Sequence, residues 1–303
     1  MSIFNAYMAL SGAYDADVTR DERLSHHTTY RIGGPAALFV KVNSYPALLK
    51  TIEILGREGV DWVVLGKGSN ILAADRGYDG CVIVLGREFS RISFDGSEVT
   101  AGAGATIARL VSETLSHSLS GLECLVGIPG TVGGAVSMDA GTRHEWIGAR
   151  VKDVVTLRPG EGLHRYAGSD IEWGYRYTNI PTSEIILEAT FSLVPDEKAS
   201  IAERMESLVA RRRLRQPLGK PSCGSVFRNP GSRSVGQLID SCGLKGYSVG
   251  GACVSDMHAN FIVNDGGARA ADVIAVMSRV HDTVLDKYGI DLVPEVKCLG
   301  FGA

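Results

Sequence analysis

The sequence predicts an α+β fold in three segments, and three observations predict it. Helix-spaced and strand-like apolar runs alternate between Ser44 and Leu85, a second helix-and-strand pattern begins at Ala101, and Pro195-Asp196-Glu197 breaks the chain ahead of further helical patterns. The expected boundaries are 1–88, 89–195 and 196–303, two α+β units followed by a smaller one.

In the first segment, Ser44 offers a cap and Pro46 a first-turn proline before Leu48, Leu49, Ile52 and Leu55 at helical spacing, and Gly59 closes the helix. Trp62-Val63-Val64-Leu65 reads as a buried strand running directly into Gly66-Lys67-Gly68-Ser69-Asn70. Cys81 to Leu85 reads as a second strand. In the middle segment, Ala101-Gly102-Ala103-Gly104-Ala105 leads into a helix carrying Ile107, Leu110, Val111 and Leu115, with strand-like runs near 151–157 and 185–193. The last segment opens with a helix bearing Ile201, Met205, Leu208 and Val209. It ends in Arg211-Arg212-Arg213-Leu214-Arg215, the composition of a solvated helix end. Helices over 235–242 and through Val273, Val276, Met277, Val280 and Val284 follow, and Ile290 to Leu299 reads as a final strand.

A chain of 303 residues, 45% hydrophobic and 21% charged, can bury more than one core, and a net charge of -3 supplies no basic footprint for nucleic acid or an acidic membrane. Nucleic acid and membranes are therefore not expected partners. The first residues, Met1 to Met8, lack the basic start and apolar core of a signal peptide, so a cytoplasmic location is expected. Six cysteines without a C-x-x-C pair argue against zinc and against a disulfide framework, and read as buried small hydrophobes. No metal is expected.

Gly127-Ile128-Pro129-Gly130-Thr131-Val132-Gly133-Gly134 packs four glycines and a proline into eight positions, with only small or apolar residues between. So bare a backbone can pass close to something bulky, and its N–H groups suit a phosphate or the polar edge of a ring. A tight buried turn explains the segment equally well. The Gly66 to Asn70 turn has neither G-x-G-x-x-G nor P-loop spacing, which leaves a strand-end turn able to cradle a pyrophosphate.

Arg31-Ile32-Gly33-Gly34-Pro35, the Gly66 to Asn70 turn and the Gly127 to Gly134 loop, in that order, resemble the flavin-binding half of the vanillyl-alcohol oxidase superfamily. Pro35 stands where many covalent members carry a histidine, so the resemblance implies non-covalent FAD. The match sharpens at His27-Thr28-Thr29-Tyr30-Arg31-Ile32-Gly33-Gly34, Gly121-Leu122-Glu123 and Tyr175-Arg176-Tyr177-Thr178. With Cys223-Gly224-Ser225-Val226-Phe227-Arg228-Asn229-Pro230 and His258-Ala259-Asn260-Phe261-Ile262-Val263-Asn264, these resemble the UDP-N-acetylenolpyruvoylglucosamine reductase family across nearly the whole chain.

That resemblance implies a two-subdomain FAD-binding fold of the vanillyl-alcohol oxidase type followed by a smaller α+β substrate-binding domain. It also implies NADPH as reductant and hydride delivery to the enolpyruvyl group of a UDP-sugar, giving UDP-N-acetylmuramate for peptidoglycan. Gly66, Lys67, Gly68, Ser69, Asn70, Gly127, Ile128, Gly130, Thr131 and Gly133 would contact the cofactor.

By the same resemblance the catalytic residues are Arg176, Ser225 and Glu295. Hydride addition drives charge onto the substrate carboxylate, so a fixed cation is needed there, and the planar fork of Arg176 fits. Ser225 would protonate the neighbouring carbon, a task for which a hydroxyl needs help from its surroundings. Glu295 would face the enol oxygens, protonated or through a hydrogen bond. The ordinary alternatives are a surface ion pair, a turn residue and the solvated side of an edge strand, respectively. Arg228, Asn229 and Lys220 would meet the UDP diphosphate, whereas His27 and His258 read as structural because neither has an obvious carboxylate partner in sequence.

Where the family has Asn-Ala-Gly-Ala-Tyr-Gly, this chain has Asp139-Ala140-Gly141-Thr142-Arg143-His144, which opens the option that Asp139 caps a helix. No loop is inserted between Tyr175 and Ser225, so the chain resembles the shorter, second type. The competing readings are a related FAD oxidoreductase with another small substrate and a non-catalytic nucleotide-sugar binder.

Overall fold

The computed structural model describes residues 2–12, 15–142, 144–231 and 233–302. They form two compact units. Unit 1 comprises Met1–Arg20, Leu38–Gly66 and Gly80–Arg211, and unit 2 comprises Asp21–Ala37, Lys67–Asp79 and Arg212–Ala303. Two excursions from the N-terminal part are thus built into the C-terminal unit.

Unit 1 opens with helix α1, Ile3–Leu10. A four-stranded sheet follows in the order Ala16–Arg23, Pro35–Val42, Tyr78–Leu85 and Trp62–Val64, with the last two parallel. Helix α2, Tyr45–Glu58, has Pro46 in its first turn and ends at Gly59, whose φ of 62° is a left-handed cap. Ser44 makes no side-chain capping bond. Burial therefore holds the helix: Leu48, Ile54 and Leu55 are fully enclosed, each contributing about 1.5–3 kcal/mol, more than a cap supplies. The buried face differs from the expected one, because Leu49 points outward and Ile52 is only half-buried, while Thr51 and Ile54 turn inward.

The second sheet of unit 1 is antiparallel throughout, in the order Gly162–Ala167, Val151–Arg158, Ile185–Ser192, Glu98–Gly102 and Ile92–Asp95. Helix α3, Ile107–Ser116, is capped by Thr106, whose hydroxyl accepts the Arg109 N–H at 3.2 Å. Helix α4, Val132–Ser137, grows directly out of the glycine-rich loop, and α5 spans Lys198–Arg215. One core, including Leu38, Ile83, Leu110, Val136 and Phe191, fills this unit.

Unit 2 carries helices α6, Val235–Ser241, and α7, Ala270–Tyr288, beside a three-stranded antiparallel sheet of Ser248–Val249, Ala252–Val254 and Ile262–Asn264. The first N–H groups of α7, from Ala270 and Ala271, donate to the Asp75 carboxylate at 2.8 and 3.1 Å. A separate core joins Tyr30, Ile32 and Leu72 to Phe227, Ile262, Val276 and Val280.

The expected final strand over 290–299 is only Lys297–Leu299, paired in parallel with Ile71–Ala73. Pro294 has no N–H to give a ladder, and the stretch before Lys297 pairs irregularly with 226–228 before changing partner. The cysteines also divide: Cys81, Cys124 and Cys223 are buried, but Cys242 and Cys253 are half-buried and Cys298 is exposed, all with free thiols. Among the described residues no helix is long and apolar enough to cross a membrane.

Candidate functional site

In unit 2, motifs far apart in sequence interlock. Gly224 adopts a φ of 83°, which a side chain would strain, and so turns the chain into Ser225. The next residues are gripped by buried Asn260: its backbone oxygen accepts the Val226 N–H at 2.9 Å, its Oδ1 accepts the Phe227 N–H at 3.0 Å, and its Nδ2 donates to Phe227 O at 2.9 Å. Alongside lies the Glu295 segment. Glu295 N–H donates to Val226 O at 2.7 Å and Arg228 N–H to Val293 O at 2.9 Å, so half-buried Ser225 and Glu295 belong to adjoining backbones.

Glu295 is 7% exposed, which disfavours the alternative of a solvated edge-strand position. Its carbonyl accepts Asn70 Nδ2 at 3.0 Å, and Asn70 O accepts the Lys297 N–H at 3.0 Å. Asn70 therefore ties the Gly66 to Asn70 turn to the chain around Glu295. On the other side of that turn, Gly68 O accepts the Thr29 N–H at 3.3 Å, and Thr29 Oγ1 donates to Ser222 O at 2.7 Å.

Arg228 is half-buried, and its Nε is buried with no hydrogen-bond partner among the described residues. A guanidinium nitrogen left in that condition fits an anionic ligand that supplies the acceptor. Asn229 instead has a structural bond, its Oδ1 taking the first N–H of α6 at 3.0 Å. Lys220 is exposed and pairs with Asp265 at 2.6 Å. Cys223 is buried, and burial pushes its thiol up to about 12, which keeps it a protonated core side chain.

Unit 1 holds Arg176 and the glycine-rich loop. Arg176 lies at the tip of a small hairpin in which Trp173 pairs with Thr178 and Gly174 with Tyr177, has a φ of 57°, and sits 5.3 Å from the Tyr175 ring centroid. A Cβ on Gly66 would lie 2.5 Å from Thr131 Oγ1, so the chain after the strand and the Gly127 to Gly134 loop meet where only glycine fits. Gly66 and Gly127 are exposed and Ile128, Gly130 and Thr131 half-buried, which leaves backbone of a kind that suits a pyrophosphate or a flavin edge.

Part of that loop is nevertheless a tight turn. Val132 N–H donates to Ala105 O and Gly133 N–H to Ala103 O, both at 2.9 Å, and Ile128 N–H donates to Leu125 O at 3.0 Å. The tight-turn reading thus describes a portion of the segment.

The structure gives each of three further side chains a partner. His27 does have a carboxylate partner, Glu22 at 2.9 Å, set five residues away on the preceding strand. His258 matches its structural reading: its Nδ1 accepts the Asn260 N–H at 3.2 Å, and burial lowers its pKa. Asp139 caps at a distance, its Oδ1 accepting the N–H of Gly148 at 3.1 Å in the first turn of the short helix Ile147–Arg150. Arg143, within the same departure, lies outside the described residues. Among the described residues no cluster of His, Cys, Asp and Glu could hold a metal ion.

Residues 36–158 match the FAD binding domain family, and residues 216–299 match the UDP-N-acetylenolpyruvoylglucosamine reductase C-terminal domain. UDP-N-acetylenolpyruvoylglucosamine reductase from Halalkalibacterium halodurans is 40% identical over 285 residues, covering 94% of this chain and 95% of that protein. The protein of the same name from Bacillus subtilis is 38% identical over 285 residues, 93% and 94% of the respective chains. The crystal structure of UDP-N-acetylenolpyruvylglucosamine reductase from Thermus caldophilus superposes with a TM-score of 0.81 at 34% identity, covering 94% of this chain and 98% of that one.

Proposed function

The chain belongs to the UDP-N-acetylenolpyruvoylglucosamine reductase family, and from that premise we propose which of its residues carry the reaction. It is an FAD-dependent oxidoreductase of peptidoglycan synthesis that reduces UDP-N-acetylenolpyruvoylglucosamine to UDP-N-acetylmuramate with NADPH as reductant. Its FAD-binding fold is of the vanillyl-alcohol oxidase type. We place the work in the cytoplasm, with residues 1–88 and 89–195 as the cofactor-binding segments and 196–303 as the substrate-binding segment.

Bound FAD, once reduced by NADPH, would supply the hydride. We assign the cofactor, bound without a covalent link, to Gly66, Lys67, Gly68, Ser69 and Asn70 and to Gly127, Ile128, Gly130, Thr131 and Gly133. The closeness of Gly66 to Thr131 supports this. As a C–H bond forms at the substrate methylene, the π pair moves toward the neighbouring carbon and the carboxylate. Arg176 binds that carboxylate and stabilises the growing charge. Ser225 Oγ then gives its proton to the carbon bearing the pair, and Glu295 assists at the enol oxygens. Arg228, with Asn229 and Lys220, takes the diphosphate.

The observation that carries this reading is the 2.7 Å bond from Glu295 N–H to Val226 O, which makes Ser225 and Glu295 neighbours although 70 positions separate them. Ser225→Ala tests it. Under anaerobic conditions the variant should bleach with NADPH as wild type does and bind the UDP-substrate, but recolour about 10²–10⁴-fold more slowly on adding it. Recolouring at the wild-type rate would remove Ser225 from the reaction.

A further inference from the structure

Asp139, which follows α4, has surroundings that give its buried carboxylate a consequence. The residue follows α4 with a φ of 40°, a left-handed conformation that Asp and Asn both tolerate. Its side chain is buried, and Oδ1 accepts the Gly148 N–H at 3.1 Å. Gly148 is squeezed from both sides: a Cβ there would stand 2.3 Å from the Trp173 ring and 2.8 Å from Asp139 Oδ1. Trp173 is itself anchored, its Nε1 donating to Gly168 O at 3.0 Å, and it opens the hairpin whose two-residue turn is Tyr175-Arg176. One packed path, wholly inside unit 1, therefore leads from the Asp139 carboxylate through Gly148 and Trp173 to the hairpin that carries Arg176.

We propose that Asp139 is a positioning residue for Arg176, its buried carboxylate supplying the counter-charge that orients the guanidinium at the hairpin tip toward the substrate carboxylate. This rests on the reading of Arg176 as the cation that holds that group. A buried carboxylate is costly unless a charge and a donor compensate it. Here burial pushes the Asp139 carboxyl up, while the Gly148 N–H and the Arg176 charge pull it back. The other charged side chains around α4 have other surroundings. Arg150, His144 and Glu145 line a cavity of about 290 Å³ with Glu123 and Arg204, and Asp139 is not in its wall. On the strands packed against α4, Glu98 pairs with Lys152, and Glu188 sits half-buried within its sheet.

Asp139→Asn isolates the charge, because Asn keeps the left-handed backbone and the acceptor for Gly148. In the FAD-loaded protein we expect bleaching by NADPH at the wild-type rate. Reoxidation by the UDP-enolpyruvyl substrate should slow about 10–100-fold in mildly alkaline buffer, chiefly in kcat. The gap from wild type should close toward acid pH, as the wild-type carboxyl gains a proton and loses the charge the variant already lacks. A second readout needs no turnover: in a ¹³C NMR titration of the loaded protein, Arg176→Met should move the Asp139 carboxyl pKa upward.

Substrate reoxidation in Asp139→Asn at or above the wild-type rate, with an unchanged pH profile, overturns the proposal. So does an Asp139 titration indifferent to Arg176→Met. Full-speed reoxidation in Arg176→Met is a different result, which overturns the reading of Arg176 on which the proposal stands.

Discussion

The Tyr30 hydroxyl donates to the carbonyl oxygen of Ile262 at 2.8 Å, joining residues 232 positions apart. Asn264 Nδ2 returns a bond to Tyr30 O at 3.0 Å, and the ring is fully enclosed. Burial, with Cys223 adding to it, holds the phenol well above its ordinary range, so it stays a donor at any working pH. The pair stitches the N-terminal excursion to the strand Ile262–Asn264, within the unit that carries Ser225 and Glu295.

Tyr30→Phe should therefore destabilise the protein by about 1–3 kcal/mol, because Ile262 O loses its donor in a dry core while the packing stays. The shift should appear as a lower urea midpoint at unchanged slope. An unmoved midpoint would show that the bond contributes nothing net.

Gly66→Ala places a methyl 2.5 Å from Thr131 Oγ1, closer than real Cβ contacts come. Thr131 Oγ1 also accepts the Gly134 N–H at 3.4 Å, so moving it disturbs the cap of α4. The expected result is FAD loss, measured as the flavin-to-protein absorbance ratio after gel filtration, with flavin affinity at least about tenfold weaker for a loss of 1.4 kcal/mol. Full flavin retention in the variant would place the cofactor elsewhere.

Much of this was legible because apolar periodicity marks helices directly: α3 and α7 bury Ile107, Leu110, Val111 and Val273, Val276, Val280 as their spacing requires. The strand Ala16–Arg23 was invisible, since its sequence ADVTRDER alternates no hydrophobic face, as befits a sheet edge. The family motifs located Ser225 and Glu295, but only tertiary structure could show that Pro294 breaks the last strand and that Glu295 is buried. Asp139 was noticed as an odd residue; the Gly148 and Trp173 contacts that give it a role join segments with no shared local pattern.

Arg228 Nε is buried with no hydrogen-bond partner among the described residues, a condition that fits an anionic ligand supplying the acceptor. Arg228→Met keeps the apolar stem and removes the fork. KM for the UDP-substrate should rise about 10–100-fold, the range of a lost charge-assisted bond worth 1.5–3 kcal/mol, while bleaching by NADPH is unaffected. UDP should raise the thermal midpoint of wild type but not of the variant. Equal stabilisation of both would assign the diphosphate to other residues.

Arg204 sets the last expectation, an acid dependence of stability in unit 1. It bonds Glu123 at 2.8 Å and Asp196 at 2.6 Å, while Glu123 also accepts the Gly121 N–H at 2.7 Å and the Ser120 hydroxyl at 2.8 Å. Burial opposes ionisation of Glu123, but Arg204 and these donors outweigh it and hold the carboxyl below the ordinary glutamate value of 4.5. A folded pKa lower than the unfolded one gives stability that is fully present above 4.5 and is lost as pH falls through the folded value. Asp196 is lowered in the same direction, first by Arg204. Arg204→Ala should therefore lower the thermal midpoint most near neutral pH, and its gap from wild type should narrow as the buffer is taken below 4.5. A gap that stayed constant with pH would mean that Arg204 acts through packing of its stem against the cavity wall, not through the two carboxylates.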